Sequence, residues 1–136
     1  MKKRLFIILI LLFGSVSVFL ASGQFNPSEI AQREQWEEFL STAEIVKSEP
    51  IGQGVTKPWK LYLKKGDIEA KAAWKYVHQN LGGGVMDDWR YEIAAYRMDK
   101  LVGLTMVPPA VEREFKGKKG SLSLWTETQY NLLQIM

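Results

Sequence analysis

The sequence predicts one α+β domain in which an antiparallel sheet of about five strands carries one packed helix. An N-terminal helix and a signal peptide are predicted ahead of that domain. Three observations lead to this fold class: short β-rich runs bounded by turn residues, one long helix-like run after Gly82-Gly83-Gly84, and a basic start followed by an apolar run. With 136 residues, 46% of them hydrophobic, the chain is long enough for a single core.

The first 23 residues have the three-part pattern of a secretory signal peptide. Lys2, Lys3 and Arg4 precede a 17-residue apolar run, and Ala21-Ser22-Gly23 then supplies the small residues that a signal peptidase reads. Cleavage before Gln24 predicts export to the periplasm or the extracellular space. An uncleaved anchor is the alternative, because a spanning helix needs about 20 residues. It would hold the chain in the membrane, at the outer face of the inner membrane.

The three basic residues of this leader account for the whole net charge of +3. From Gln24 onward, 15 basic residues face 15 acidic ones, so we predict no nucleic-acid partner. The absence of cysteine excludes a disulfide framework, a thiolate nucleophile and a lipid-anchored start. His78 is the single histidine, which excludes a metal site built on a pair of histidines.

Residues 24–42 predict an N-terminal helix that packs on the domain after it. Asn26 is a suitable N-cap, Pro27 fits the first helical position, and Glu29 completes a capping box. The apolar residues of the following turns form a partial stripe along an otherwise charged helix to about Ser41; they are Ile30, Trp36, Phe39 and Leu40.

Residues 43–127 predict the main domain. Strands are expected at 43–49, 59–64 and 68–77, with Lys65-Gly66-Asp67 as a tight hairpin turn between the last two. Pro108-Pro109 excludes a central strand at that point but allows one from Ala110, and Ser121 to Thr126 alternates like a final strand. The chain then finishes with the apolar residues of 128–136, which suggest a truncated tail or the start of a missing lobe.

One helix is predicted between the third and fourth strands. Gly82-Gly83-Gly84 is interpreted as a linker or hinge with His78 in the loop before it, Asp87 or Asp88 can cap the helix near Trp89, and Gly103 ends it. The helical spacing predicts a buried stripe with Glu92 at its edge; its members are Tyr91, Ala94, Ala95, Met98, Leu101 and Val102.

Lys75 and Glu92 are the candidate site. Both are charged residues among apolar neighbours, so both are expected to be partly desolvated, which is costly unless they meet each other or a charged ligand. On a strand, Ala73 and Lys75 share one face, and the small Ala73 leaves room for a flat ring beside the ammonium. Lys71 lies on the same face and is the competing lysine. Taken singly, Lys75 could be an ordinary surface lysine and Glu92 an ordinary helix carboxylate.

The run Ala72-Ala73-Trp74-Lys75 resembles the V-A-I-K strand of protein kinases, and Glu92 resembles the helix-C glutamate that pairs with its lysine. Residues 43–127 as a whole are similar to the small lobe of atypical kinases, of the secreted, phosphatidylinositol-kinase or HipA-like branches. The resemblance implies an ATP site whose residues are Lys75, Glu92, Gly52, Gly54, Ala73, Trp125 and Glu127. The sequence departs from the kinase pattern at Lys57, which stands where a third glycine would be.

The resemblance also implies a second, larger lobe that carries the catalytic aspartate and the magnesium ligands. After Glu127 the chain offers only TQYNLLQIM, with no aspartate and the single Asn131. We therefore predict a lobe that is inactive by itself, has no catalytic residue of its own, uses magnesium only when a second lobe is supplied, and otherwise self-associates. The alternatives are a secreted α+β binding or structural module in which Lys75 and Glu92 form only a structural pair, and a membrane-tethered interaction domain.

Overall fold

The computed structural model describes residues 25–52 and 56–127, so the predicted signal peptide and the tail at 128–136 lie outside the described residues. The helices are α1 (Pro27–Ala31), α2 (Arg33–Thr42) and α3 (Arg90–Val102); the strands are β1 (Glu44–Pro50), β2 (Trp59–Lys65), β3 (Ile68–Lys75), β4 (His78–Gly82), β5 (Val85–Asp88), β6 (Ala110–Phe115) and β7 (Lys118–Leu124). The predicted α+β class with a five-stranded antiparallel sheet is confirmed: β1, β2, β3, β7 and β6 pair in that order. No helix of the described ranges is long and apolar enough to cross a membrane.

The hydrophobic core lies on one face of this sheet, beneath α2. Period-two alternation sends every second side chain of β2, β3 and β7 to this face. The buried members of the cluster are Phe39, Leu40, Ala43, Leu61, Leu63, Ala72, Trp74 and Leu122. The predicted packing of the N-terminal helix on the sheet is thus confirmed, as is the capping box of Asn26 and Glu29. A break at Gln32 divides the predicted single helix into α1 and α2.

The segment between β3 and α3 differs from its prediction. The third strand ends at Lys75 rather than Val77, and the expected glycine linker is the turn of a hairpin formed by β4 and β5. Gly82, Gly83 and Gly84 have φ values of 88°, 59° and 82°, which glycine adopts without the steric cost of a Cβ. His78 therefore lies on a strand and not in a loop. The sequence did not reveal β4 because all five of its residues are exposed, so it has no hydrophobic alternation.

The predicted helix α3 is present, but the stripe predicted to be buried is exposed. Its members Tyr91, Met98 and Leu101 are 57%, 58% and 81% exposed. The helix instead packs through Ile93, Tyr96 and Asp99. Two of these three carry polar atoms, and both find partners on α2. The spacing identified an apolar side of α3, but that side is exposed. The rest of the described chain packs against the other side, which carries Ile93, Tyr96 and Asp99.

A buried ion pair joins α3 to α2. The Arg33 guanidinium Nη2 lies 2.7 Å from Asp99 Oδ2, and the two side chains are only 8% and 1% exposed. The other carboxylate oxygen, Oδ1, accepts the backbone N–H of Met106 at 2.8 Å and that of Val107 at 3.2 Å. Burial by itself would raise the pKa of Asp99, but these amides and the guanidinium outweigh it and hold the pKa below its usual range. The carboxylate is therefore charged, fully bonded and shielded from water.

A second carboxylate, Glu37 of α2, receives two donors from α3. Its Oε1 accepts the Tyr96 hydroxyl at 2.5 Å and the Lys100 ammonium at 2.6 Å. Burial and the bond to Glu37 both raise the pKa of Tyr96, so its hydroxyl stays protonated as a donor. The position of α3 thus depends on polar bonds to the N-terminal helix.

We expect Arg33→Met to lower the free energy of unfolding by about 3–5 kcal/mol, because it leaves the Asp99 carboxylate buried without its counter-ion. Urea unfolding followed by circular dichroism measures the loss. The matched control is Lys65→Met, which breaks the exposed pair of Lys65 with Glu38 on the same helix and should change stability little. Equal losses in the two variants would contradict a special role for the buried pair.

Candidate functional site

The two candidate residues meet as predicted. Lys75, the last residue of β3, places its Nζ 2.6 Å from Oε1 of Glu92 in the first turns of α3. Their side chains are 32% and 42% exposed, so the expected desolvation is only partial. Because Ala72 and Trp74 point into the core, Lys75 lies on the opposite face of the sheet. The ion pair is confirmed, and it remains within reach of a solvent-borne ligand.

The hairpin of β4 and β5 fixes α3 relative to the end of β3. The backbone N–H of Trp89 donates to the carbonyl of Val77 at 2.9 Å, and His78 Nδ1 lies 2.6 Å from Asp88 Oδ2, which together close the base of the hairpin. Asp88 also accepts the backbone N–H and the guanidinium of Arg90 at the start of the helix. The bonds to Arg90 hold the pKa of Asp88 well below its usual range. This buried carboxylate therefore anchors the turn that carries Glu92.

Ala73 forms a notch at the centre of the same face. Its cross-strand neighbours are Lys60 on β2 and Ser123 on β7. Along β3 its neighbours on this face are Lys71 and Lys75, two positions away on either side. A single methyl group thus lies among three lysines and a hydroxyl, and two of these lysines, Lys71 and Lys75, are paired with carboxylates. Lys60 was not among the predicted site residues, since only the strand register reveals that it lies beside Ala73.

Trp125 and Glu127 follow β7 at the end of the sheet. The backbone N–H of Trp125 donates to the carbonyl of Lys71 at 2.9 Å, and Lys60 Nζ lies 4.2 Å from the centre of the Trp125 ring. Glu127 Oε1 accepts the Lys71 ammonium at 2.8 Å, and this contact raises the pKa of Lys71 and lowers that of Glu127. Lys71, the competing lysine, thus pairs with Glu127, and Lys75 pairs with Glu92.

The glycine turn is placed only in part. Gly52 lies two residues after the end of β1, in the connection to β2, and has a φ of 72°. Gly54 lies outside the described residues. A third glycine, Gly120, proves more important to the site than sequence reasoning indicated. A Cβ at Gly120 would lie 2.3 Å from the carbonyl oxygen of Lys75 and 2.8 Å from the Trp74 ring, so a larger residue would displace the strand end that holds Lys75.

The arrangement offers ammonium groups that an anion could contact. Lys60 and Lys75 provide ammonium groups on one face, and charge-assisted bonds from such groups are among the stronger contacts to phosphate oxygens. Within residues 25–52 and 56–127, no group of three or more acidic, histidine or cysteine side chains is arranged to hold a metal ion.

No family model, curated protein or solved structure matches this chain. The resemblance to kinases therefore stays a prediction from the sequence motifs.

We expect the Lys75–Glu92 pair to couple weakly, by less than about 1 kcal/mol, because both side chains are a third or more exposed. The measurement is a double-mutant cycle in urea with Lys75→Met, Glu92→Gln and the double variant. A weak coupling means that the fold does not need the pair. A coupling above about 2 kcal/mol would assign it a structural purpose instead.

Proposed function

We propose that this chain is the nucleotide-binding small lobe of an exported kinase-like protein and is catalytically inactive by itself. The observation that carries the proposal is the ion pair between Lys75 and Glu92, formed on the sheet face that also holds the Ala73 notch. A five-stranded antiparallel sheet with one helix between its third strand and its final hairpin supports it as well.

In this proposal Glu92 orients the Lys75 ammonium, which donates to phosphate oxygens of ATP. The Ala73 notch receives the edge of the base, because a larger side chain there would fill the space that a flat ring needs. Trp125 and Glu127, at the end of the same sheet, border the base as the hinge residues of the resemblance do. Gly52 and Gly54 contribute backbone amides near the phosphates.

Catalysis in this proposal requires a second lobe. Phosphoryl transfer depends on positioning and on metal-borne charge, and the described residues lack a cluster able to hold the metal. Magnesium therefore binds only when the second lobe supplies carboxylates. We propose that this lobe covers the exposed apolar side of α3 and the loop after it, namely Tyr91, Met98, Leu101, Val102, Leu104 and Met106. In the isolated protein a second copy would cover that surface.

We expect purified residues 24–136 to bind ATP with a dissociation constant of about 1 mM or weaker and to transfer no phosphate. Without the second lobe, the site retains the Lys75 ammonium but lacks the metal ligands. ATP binding is therefore expected to be weak and phosphate transfer absent. Titration by nuclear magnetic resonance measures the affinity, and labelled ATP with magnesium or manganese measures turnover.

Lys75→Ala should abolish the ATP-induced shifts, whereas Lys65→Ala, at an exposed lysine that pairs with Glu38, should preserve them. Shifts that survive Lys75→Ala, or that are absent from the unaltered protein, would refute the nucleotide site. Turnover that Lys75→Ala removes would refute the claim of inactivity.

We also expect the isolated protein to self-associate through α3, because soluble monomers rarely expose such a continuous apolar surface. Leu101→Glu should shift the sedimentation profile towards monomer without loss of stability, since Leu101 is 81% exposed. Ile68→Glu is the matched control: this residue is 55% exposed at the start of β3 and should leave association unchanged. A monomeric unaltered protein would count against an uncovered interface on α3.

A further inference from the structure

We propose that this protein has a second binding site, for a small uncharged aromatic or aliphatic molecule, in a cavity bordered by Trp36 of α2 and by residues of β1, β2 and β3. The cavity has a volume of about 530 Å³; Leu63, Ala70 and Leu124 border it from the core face, and the paired residues Tyr62 and Lys71 border it from the other face. This volume is within the range of small-molecule sites, which are about 300–1,000 Å³ and mainly apolar. Trp125 and Glu127 border this cavity and also the proposed nucleotide site, so the two sites are tested with separate variants.

Apolar side chains form much of the lining of this cavity. Leu63, Ala70 and Leu124 share the core face with the buried cluster, and the Ala70 side chain is only a single methyl group. Trp36 of α2 and Trp125 after β7 border the space. Two large aromatic side chains facing an aliphatic floor favour a flat apolar ligand, which gains from dispersion and from leaving water.

A second space lies next to the cavity, along the N-terminal helices. It has a volume of about 500 Å³, shares Trp36, Leu124, Trp125 and Glu127 with the first, and is also bordered by Phe25, Arg33 and Pro109. The two spaces thus have two tryptophans in common.

The charges around the cavity argue for an uncharged ligand. Four charged residues border it, namely Lys47, Glu69, Lys71 and Glu127. Each has a partner of opposite charge: Lys47 pairs with Glu49 at 3.0 Å, Glu69 with Lys64 at 2.6 Å, and Lys71 with Glu127 at 2.8 Å. A charged ligand would compete with one of these pairs, whereas an uncharged ligand leaves all of them intact.

Two alanines on β3 allow the two sites to be tested separately. Ala70 borders the cavity, whereas Ala73 lies three positions further along the strand and therefore points to the opposite face, the proposed nucleotide side. Isoleucine suits a strand at either position, so the same substitution can fill one face at a time. Trp125 is unsuitable for this purpose, since it borders the cavity and also contacts Lys60 of the opposite face.

The experiment uses N-phenyl-1-naphthylamine, an uncharged aromatic probe that accepts energy from excited tryptophan. Purified residues 24–136 should bind one molecule saturably, with energy transfer from the protein. Ala70→Ile should weaken binding about tenfold or more, equivalent to about 1.4 kcal/mol. Trp36→Ala should also weaken it by removing a wall, which gives a second variant if Ala70→Ile does not fold. Ala73→Ile should change the probe affinity by about twofold at most, which is far less than the loss of about tenfold expected for Ala70→Ile.

The reverse pattern is expected for ATP, which Ala73→Ile should weaken and Ala70→Ile should not. Failure of ATP binding together with intact probe binding would refute the nucleotide site alone. Unsaturable probe binding, or equal probe affinity in Ala70→Ile and the unaltered protein, would overturn the cavity proposal. So would stronger probe binding by a protein shortened to end at Glu127, since the occupant would then be residues 128–136.

Discussion

The buried pair of Arg33 and Asp99 is the constraint on which the arrangement of the helices depends. The helix α2 lies over the core face of the sheet, α3 carries Glu92 to the opposite face, and side-chain bonds join the two helices. A buried charge must be compensated where it lies, and Asp99 is compensated by a guanidinium from α2 and two amides from the loop after α3. Displacing either helix would leave charge in an apolar site. The position of Glu92 is thus set partly by residues far from it.

The C-terminal end of α2 is held to the sheet in a comparable way. Arg113 of β6 donates to the carbonyl of Leu40 at 2.5 Å and to that of Ala43 at 2.6 Å, two of the carbonyls that a helix end leaves without partners. Burial lowers the pKa of Arg113, but the group remains a cation and a donor. Two arginines therefore hold the two ends of α2, one against α3 and the other against the sheet.

The sequence predicted the sheet, the helix α3 and the meeting of Lys75 with Glu92, because these depend on local period and on adjacent elements. It did not predict which side of α3 would be covered. Residues such as Tyr96 and Asp99 count as polar or amphipathic in a periodic pattern, and only the partners on α2 make them interior residues. The sequence also did not predict the hairpin of β4 and β5. Its strands are largely exposed and lack hydrophobic alternation, and the glycines that form its turn are equally typical of a linker. Arg33 gave no signal either, since its partner is 66 residues away in the chain.

The closed base of that hairpin has a mechanical consequence. The bond from Trp89 to Val77 and the contact of His78 with Asp88 fix the base of the hairpin, and with it the start of α3 relative to the end of β3. Neither contact involves the turn of the hairpin. The tip of the hairpin, from Leu81 to Val85, therefore does not position Lys75 or Glu92. A peptide tag or a fluorescent label inserted at Gly83, in an exposed polar turn, would report on the protein without disturbing its charged face.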